Sequence, residues 1–143
     1  MLRLPADIRR QMVDHCLAGL PEEACGLLGG TPAPAAATPA LAGAADVSVL
    51  YPTRNAAASA KLYEVDSRDY LHADRDAEAR GLELLGVFHS HTHTEAYPSP
   101  TDVAQAPDPT WHYVLVSLQD VEPVVRSYRI VDATIEEEEV VVS

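Results

Sequence analysis

Cysteine is scarce in this chain. Only Cys16 and Cys25 occur among 143 residues, too few for the disulfide framework that staples small secreted domains. Basic residues are also few: 10 Lys and Arg stand against 22 Asp and Glu, a formal charge of −12. That balance argues against a nucleic-acid backbone or an anionic membrane as partner, since both draw on clustered cations. The acid surplus suits a basic partner or simply solubility. No apolar run is long enough to span a bilayer. The nearest, from Pro32 to Leu50, is Ala-rich and broken by Pro32, Pro34 and Pro39. The opening Met1-Leu2-Arg3-Leu4-Pro5-Ala6-Asp7 brings charge early and lacks the apolar core of a signal peptide. A reduced, cytoplasmic setting is the expectation. No internal repeat is visible.

What is present reads as one globular domain over 1–143. With 47% hydrophobic residues, a chain of this length buries roughly 68–70% of the surface it exposes when unfolded. Pro5 to Leu20 reads as an amphipathic helix, with Ile8, Met12, Cys16 and Leu20 recurring every fourth residue. Cys25 to Gly30 is a short apolar run closed by glycines, which suits a buried strand, and Cys25 reads as core. Thr31 to Ala45 has no period and reads as a surface loop. Val47 to Tyr51 and Tyr63 to Val65 look like short strands. Ser67 to Arg80 has helical composition with Ser67 or Asp66 as cap. Leu84 to Phe88, His112 to Ser117, Val124 to Val131 and Thr134 to Val142 complete the strand candidates. The acidic run Glu136–Glu139 fits a solvated edge. The pattern predicts an α+β fold, a mixed sheet with helices packed beside it.

The chemistry concentrates between Gly86 and Asp102. On a strand, residues two apart share a face, so His89 and His91 present two imidazoles side by side. Catalytic zinc typically takes three protein ligands, His nitrogen and carboxylate oxygen among them, and keeps one position for water. The turn Ser99-Pro100-Thr101-Asp102 looks like a helix start, with Ser99 as cap and Pro100 in the first turn. Its carboxylate can reach back toward the strand end. These residues alone also permit other readings. His91 and His93 form a second pair of the same spacing, Ser99 and Asp102 serve equally as an ordinary cap, and Glu22-Glu23 alone suits a solvated turn.

Read from His89, the full spacing His-x-His-x7-Ser-x2-Asp, with Gly86 before it and Pro98 beside Ser99, resembles the JAMM (MPN+) zinc metalloproteases. The resemblance implies that His89, His91 and Asp102 bind one zinc ion and that Ser99 stabilises the tetrahedral intermediate. His93 falls outside that set. Thr92 stands where the family usually has proline. The family's catalytic glutamate is followed closely by Cys-Gly, and Pro21-Glu22-Glu23-Ala24-Cys25-Gly26 supplies that segment. By this match Glu23 is catalytic and Glu22 is its solvent-facing neighbour. The implied fold is a three-layer α/β/α-like arrangement around a partly barrelled mixed sheet, similar to cytidine deaminases.

Asn55, Tyr63, Asp66, His112–Ser117 and Arg126–Asp132 look most like a bacterial subgroup, the Mec-type peptidases. These release cysteine from the C-terminal glycine of the ubiquitin-like sulfur carrier CysO. The implied substrate is therefore a ubiquitin-like sulfur carrier with a Gly-Gly tail. The alternatives are a deubiquitinase-like isopeptidase, a non-catalytic MPN scaffold, or a binuclear hydrolase recruiting His93 or His112. A zinc deaminase is disfavoured because no Pro-Cys-x-x-Cys segment exists.

Overall fold

Strand β2 (Cys25–Thr31) runs through the middle of the sheet, antiparallel to both β3 (Ala45–Thr53) and β4 (Glu83–His91). These are elements of a computed structural model that describes residues 1–34, 43–106 and 108–143. Cys25 to Gly30 of β2 are apolar because this stretch is covered on both faces. Leu28 packs with Phe88, Val114 and Val116 beneath helix α1 (Ala6–Gly19), together with its Met12 and Cys16. Leu27 points the other way, joining Val87, Tyr113 and Ile130 beneath helix α2 (Ser67–Ala79), which contributes Ala73. Each large apolar side chain buried this way stabilises the fold by about 1.5–3 kcal/mol.

The sheet continues through β5 (His112–Ser117), parallel to β4, then antiparallel β6 (Val124–Val131) and β7 (Thr134–Glu138). On the other side lie β1 (Leu2–Leu4) and β8 (Val140–Val142), parallel partners. The order is β7-β6-β5-β4-β2-β3-β1-β8. Only Glu139 separates β7 from β8, yet they occupy opposite ends of that order. The sheet therefore curls until its two ends nearly meet, giving an α+β fold around a mixed, almost barrel-shaped sheet.

Gly86 permits the close approach of β4 and β5: a Cβ there would lie 1.9 Å from the His112 carbonyl oxygen. Gly26 does the same for the Phe88 ring, which a Cβ would meet at 2.4 Å. Among the described residues no helix is long and apolar enough to cross a membrane.

Several sequence expectations need correction. Helix α1 ends at Gly19, and Leu20 is exposed rather than the last core position of the helix. Tyr63–Val65 is not a strand; Val65 makes an isolated bridge to Asn55. Thr31 and Ala45 belong to β2 and β3, so the expected loop is shorter, and residues 35–42 within it lie outside the described residues. Thr134–Val142 divides into two strands because the chain leaves one end of the sheet to pair at the other. Glu136 and Glu137 are exposed on the outermost strand, as a solvated edge requires, but Glu138 is not. Its carboxylate is buried, accepting hydrogen bonds from His112 Nδ1 at 2.5 Å, the Ser127 hydroxyl at 2.7 Å and the Met1 amino group at 3.0 Å.

Candidate metal centre

Strand β4 delivers His89 and His91 to its C-terminal end on the face shared by Val87. Ser90 between them faces the opposite layer, where its hydroxyl accepts from the Ala24 amide at 2.9 Å. The Ser90 amide donates to the Ala24 carbonyl, and Cys25 lies opposite His89. Continuing that register brings Glu23 alongside His91. Glu23 is 6% exposed while Glu22 is open to solvent. Cys25, two residues from Glu23, is fully buried on the same side, bonded to Thr53 at 3.4 Å.

Asp102 arrives from helix α3 (Pro100–Ala104), whose first turn is a reciprocal cap. The Ser99 hydroxyl accepts from the Asp102 amide and the Asp102 carboxylate accepts from the Ser99 amide. The same oxygen, Oδ2, lies 3.2 Å from His89 Nε2 and 3.0 Å from His91 Nε2, and the two Nε2 atoms are 3.3 Å apart. With its ring proton on Nδ1, His91 donates to the Glu95 carbonyl at 2.9 Å, which leaves Nε2, on the cluster side, free to ligate. On His89 the Tyr63 ring stacks at 4.0 Å between centroids and 19° between planes.

This donor set fits a zinc ion. Bonds of about 2.0–2.1 Å arranged tetrahedrally place ligand atoms about 3.3 Å apart, close to the three separations here. Two imidazole nitrogens and a carboxylate oxygen lie within 4.8 Å of one another, a donor set a cation satisfies together. Glu23 Oε1 is buried without a hydrogen-bond partner among the described residues, the condition of a carboxylate meant for a water or substrate proton.

The electrostatics agree. Burial pushes the Glu23 carboxyl up to about 7; His91 opposes this and Asp102 adds to it. Burial also disfavours charge on Asp102, but hydrogen bonds from His89 and His91 hold its carboxyl well below the usual range. Burial wins at His89, whose pKa falls, while Asp102 and the Glu95 carbonyl keep His91 above its ordinary value despite burial.

His93 is exposed and stands outside the cluster. His112 is engaged with Glu138. In the sequence Tyr63 reads only as the start of a short strand and as one residue of the subgroup resemblance, with no role at the site; stacking across distant segments leaves no local pattern. Beside the cluster lies a cavity of ≈ 770 Å³ lined by Tyr63, Leu27, Val65, Val87, Trp111 and Tyr113.

Comparison with known proteins gives this geometry a lineage. The sequence profile described as prokaryotic homologs of the JAB domain matches residues 5–131. A CysO-cysteine peptidase of Mycobacterium tuberculosis strain H37Rv is 40% identical over 141 residues, covering 98% of this chain and 90% of that protein. A desampylase of Haloferax volcanii is 30% identical over 121 residues, 81% of this chain and 80% of its own length. The crystal structure of a JAB1/MPN domain protein from Archaeoglobus fulgidus superposes with a TM-score of 0.60 over 99% of this chain and 97% of that one, at 15% identity. That last likeness speaks for the fold; the profile and the two relatives speak for descent, and with them this chain belongs to the prokaryotic JAB family, as a hydrolase.

Proposed function

We propose that the chain is a zinc metallopeptidase, one ion per chain held by His89, His91 and Asp102. It hydrolyses the bond after the C-terminal glycine of a small ubiquitin-like sulfur carrier and releases cysteine or another amine. The observation that carries this reading is the convergence of three ligand atoms beside the buried Glu23 oxygen, which has no hydrogen-bond partner among the described residues. The names of the two relatives, a CysO-cysteine peptidase and a desampylase, support the substrate class. The cytoplasm is the proposed setting.

Zinc held there would act as a Lewis acid toward a water and the scissile carbonyl. Glu23 takes the water's proton and later hands one to the leaving amine, serving first as base and then as acid. Ser99 uses its oxygen lone pair to cap α3, so its hydroxyl proton stays free to donate to the developing oxyanion. No residue need form a covalent intermediate.

A glycine tail lacks side chains and fits a narrow path to the cluster, adding backbone hydrogen bonds beside a strand. Binding energy then comes from the folded body of the carrier, which positions the reacting carbonyl from a distance. The test is to incubate zinc-loaded protein with ubiquitin-like carriers bearing different C-terminal extensions and to read the products by mass. A carrier–cysteine conjugate should far exceed its own C-terminal peptide in kcat/KM; equal values would replace this reading with a general small-peptide hydrolase.

A further inference from the structure

His91 and His89 are oriented in different ways. The plane of His91 is fixed by the Nδ1 bond to the Glu95 carbonyl. Among the described residues, the His89 ring makes its hydrogen bonds through Nε2 alone, and its plane is set by the face of Tyr63 lying against it.

Tyr63 belongs to neither helix nor strand, so its own placement needs a cause. The cause is Asn55. Its side-chain amide donates to the carbonyls of Glu23 and Leu62, both at 2.9 Å. Its oxygen accepts from the amides of Ala57 at 3.0 Å and Glu64 at 2.9 Å. Two donors and two lone pairs are all used, the full capacity of the group. The Glu23 amide donates to the Ser59 carbonyl at 2.8 Å, closing the bracket from the other side. The backbone of Glu23 and the segment carrying Tyr63 are thus parts of one hydrogen-bonded frame.

We propose that Tyr63, held by the Asn55 bracket, is a positioning residue for the metal centre: its ring fixes the plane of His89 and keeps that ligand in register with Glu23. The inference rests on the metallopeptidase reading above. It assigns the work to the aromatic face rather than to the hydroxyl. A ring that orients a metal ligand acts as the usual hydrogen-bond partner does, and losing such a partner typically lowers metal affinity or activity 10–100-fold.

The experiment compares Tyr63→Phe and Tyr63→Leu with the unaltered chain. It measures zinc affinity by chelator competition, the visible spectrum of the cobalt-substituted protein, thermal stability, and kcat and KM on a carrier conjugate. Tyr63→Phe keeps the aromatic face and should stay within about twofold in zinc affinity, with an unchanged cobalt spectrum. Tyr63→Leu keeps apolar bulk without stacking. It should weaken zinc binding about tenfold, shift the cobalt spectrum, and lower kcat more than it changes KM. A Leu variant indistinguishable from the unaltered chain in affinity and spectrum overturns the proposal, and so does a Phe variant as impaired as Leu. An unaltered chain that binds zinc but cleaves no conjugate overturns the substrate reading alone, because affinity and spectrum still decide the role of Tyr63. An unaltered chain that binds no metal overturns both.

Discussion

Ser99 and Asp102 hold one another: the Asp102 amide donates to the Ser99 hydroxyl at 3.1 Å, and the Ser99 amide donates to the Asp102 carboxylate at 2.9 Å. The proposed oxyanion donor and the proposed third ligand therefore move as one unit. Ser99→Ala should lower kcat by about 10²–10³-fold, the usual cost of an oxyanion donor. It should also cost about 1 kcal/mol of stability through the lost cap. Ser99→Thr should restore the stability and part of the rate. Steady-state kinetics with thermal unfolding of the two variants checks this, and an Ala variant that loses stability alone would leave Ser99 only a cap.

Glu23→Gln preserves shape and removes the proposed base. Zinc content by elemental analysis should match the unaltered protein while hydrolysis falls below detection. Glu22→Gln, on an exposed side chain, should keep both zinc and activity. Matching behaviour of the two variants would reverse the assignment.

Glu138 supplies a pH signature away from the candidate metal centre. Burial raises its pKa, but hydrogen bonds from His112 and Ser127 outweigh it and bring the carboxyl down from 4.5 to about 2. The unfolded chain therefore takes up this proton first as pH falls, and the stabilising contribution is complete above about pH 5. It fades between about pH 4.5 and 2, and amounts to roughly 3 kcal/mol. Denaturant unfolding across pH 2–7 should show Glu138→Gln less stable than the unaltered chain at neutral pH, with the two curves converging toward pH 2. Parallel curves would deny Glu138 this role.

Gly86→Ala places a Cβ 1.9 Å from the His112 carbonyl oxygen, a backbone atom that cannot swing aside. Forcing β4 and β5 apart should cost about 1–3 kcal/mol, as overpacking does. The midpoint of thermal unfolding should fall by roughly 3–10 °C. An unshifted midpoint would mean that the strands separate without cost.

The candidate residues of the cluster are close in sequence, His89 and His91 two apart on one strand and Ser99 and Asp102 three apart in one helical turn, so pleat and cap geometry suggest their faces. That geometry leaves His91 and His93 as an equal pair, and only the family resemblance selects the register that begins at His89. Glu23 was legible only by resemblance, since its burial depends on β4 lying across from it. Tyr63 carried only a mistaken strand reading and that same resemblance, neither of which points to the site. The three residues of β1 are too short a run to signal a strand, and their partners, in β3 and β8, are remote in sequence. Glu138 reads as one acid in a run of four; only the placement of His112 and Ser127 sets it apart from its neighbours.

The pairing of Leu2 with Val140 has a kinetic consequence. Contacts between residues so distant along a chain repay the loss of loop entropy only late, so they slow folding relative to local pairs. During synthesis the β2–β3 and β2–β4 pairings become available early, whereas β1 waits for its second neighbour until the last strand has left the ribosome. For that interval the nascent protein presents β1 with one open edge to its surroundings. Partially synthesised chains should therefore bind holdase chaperones most strongly just before β8 emerges.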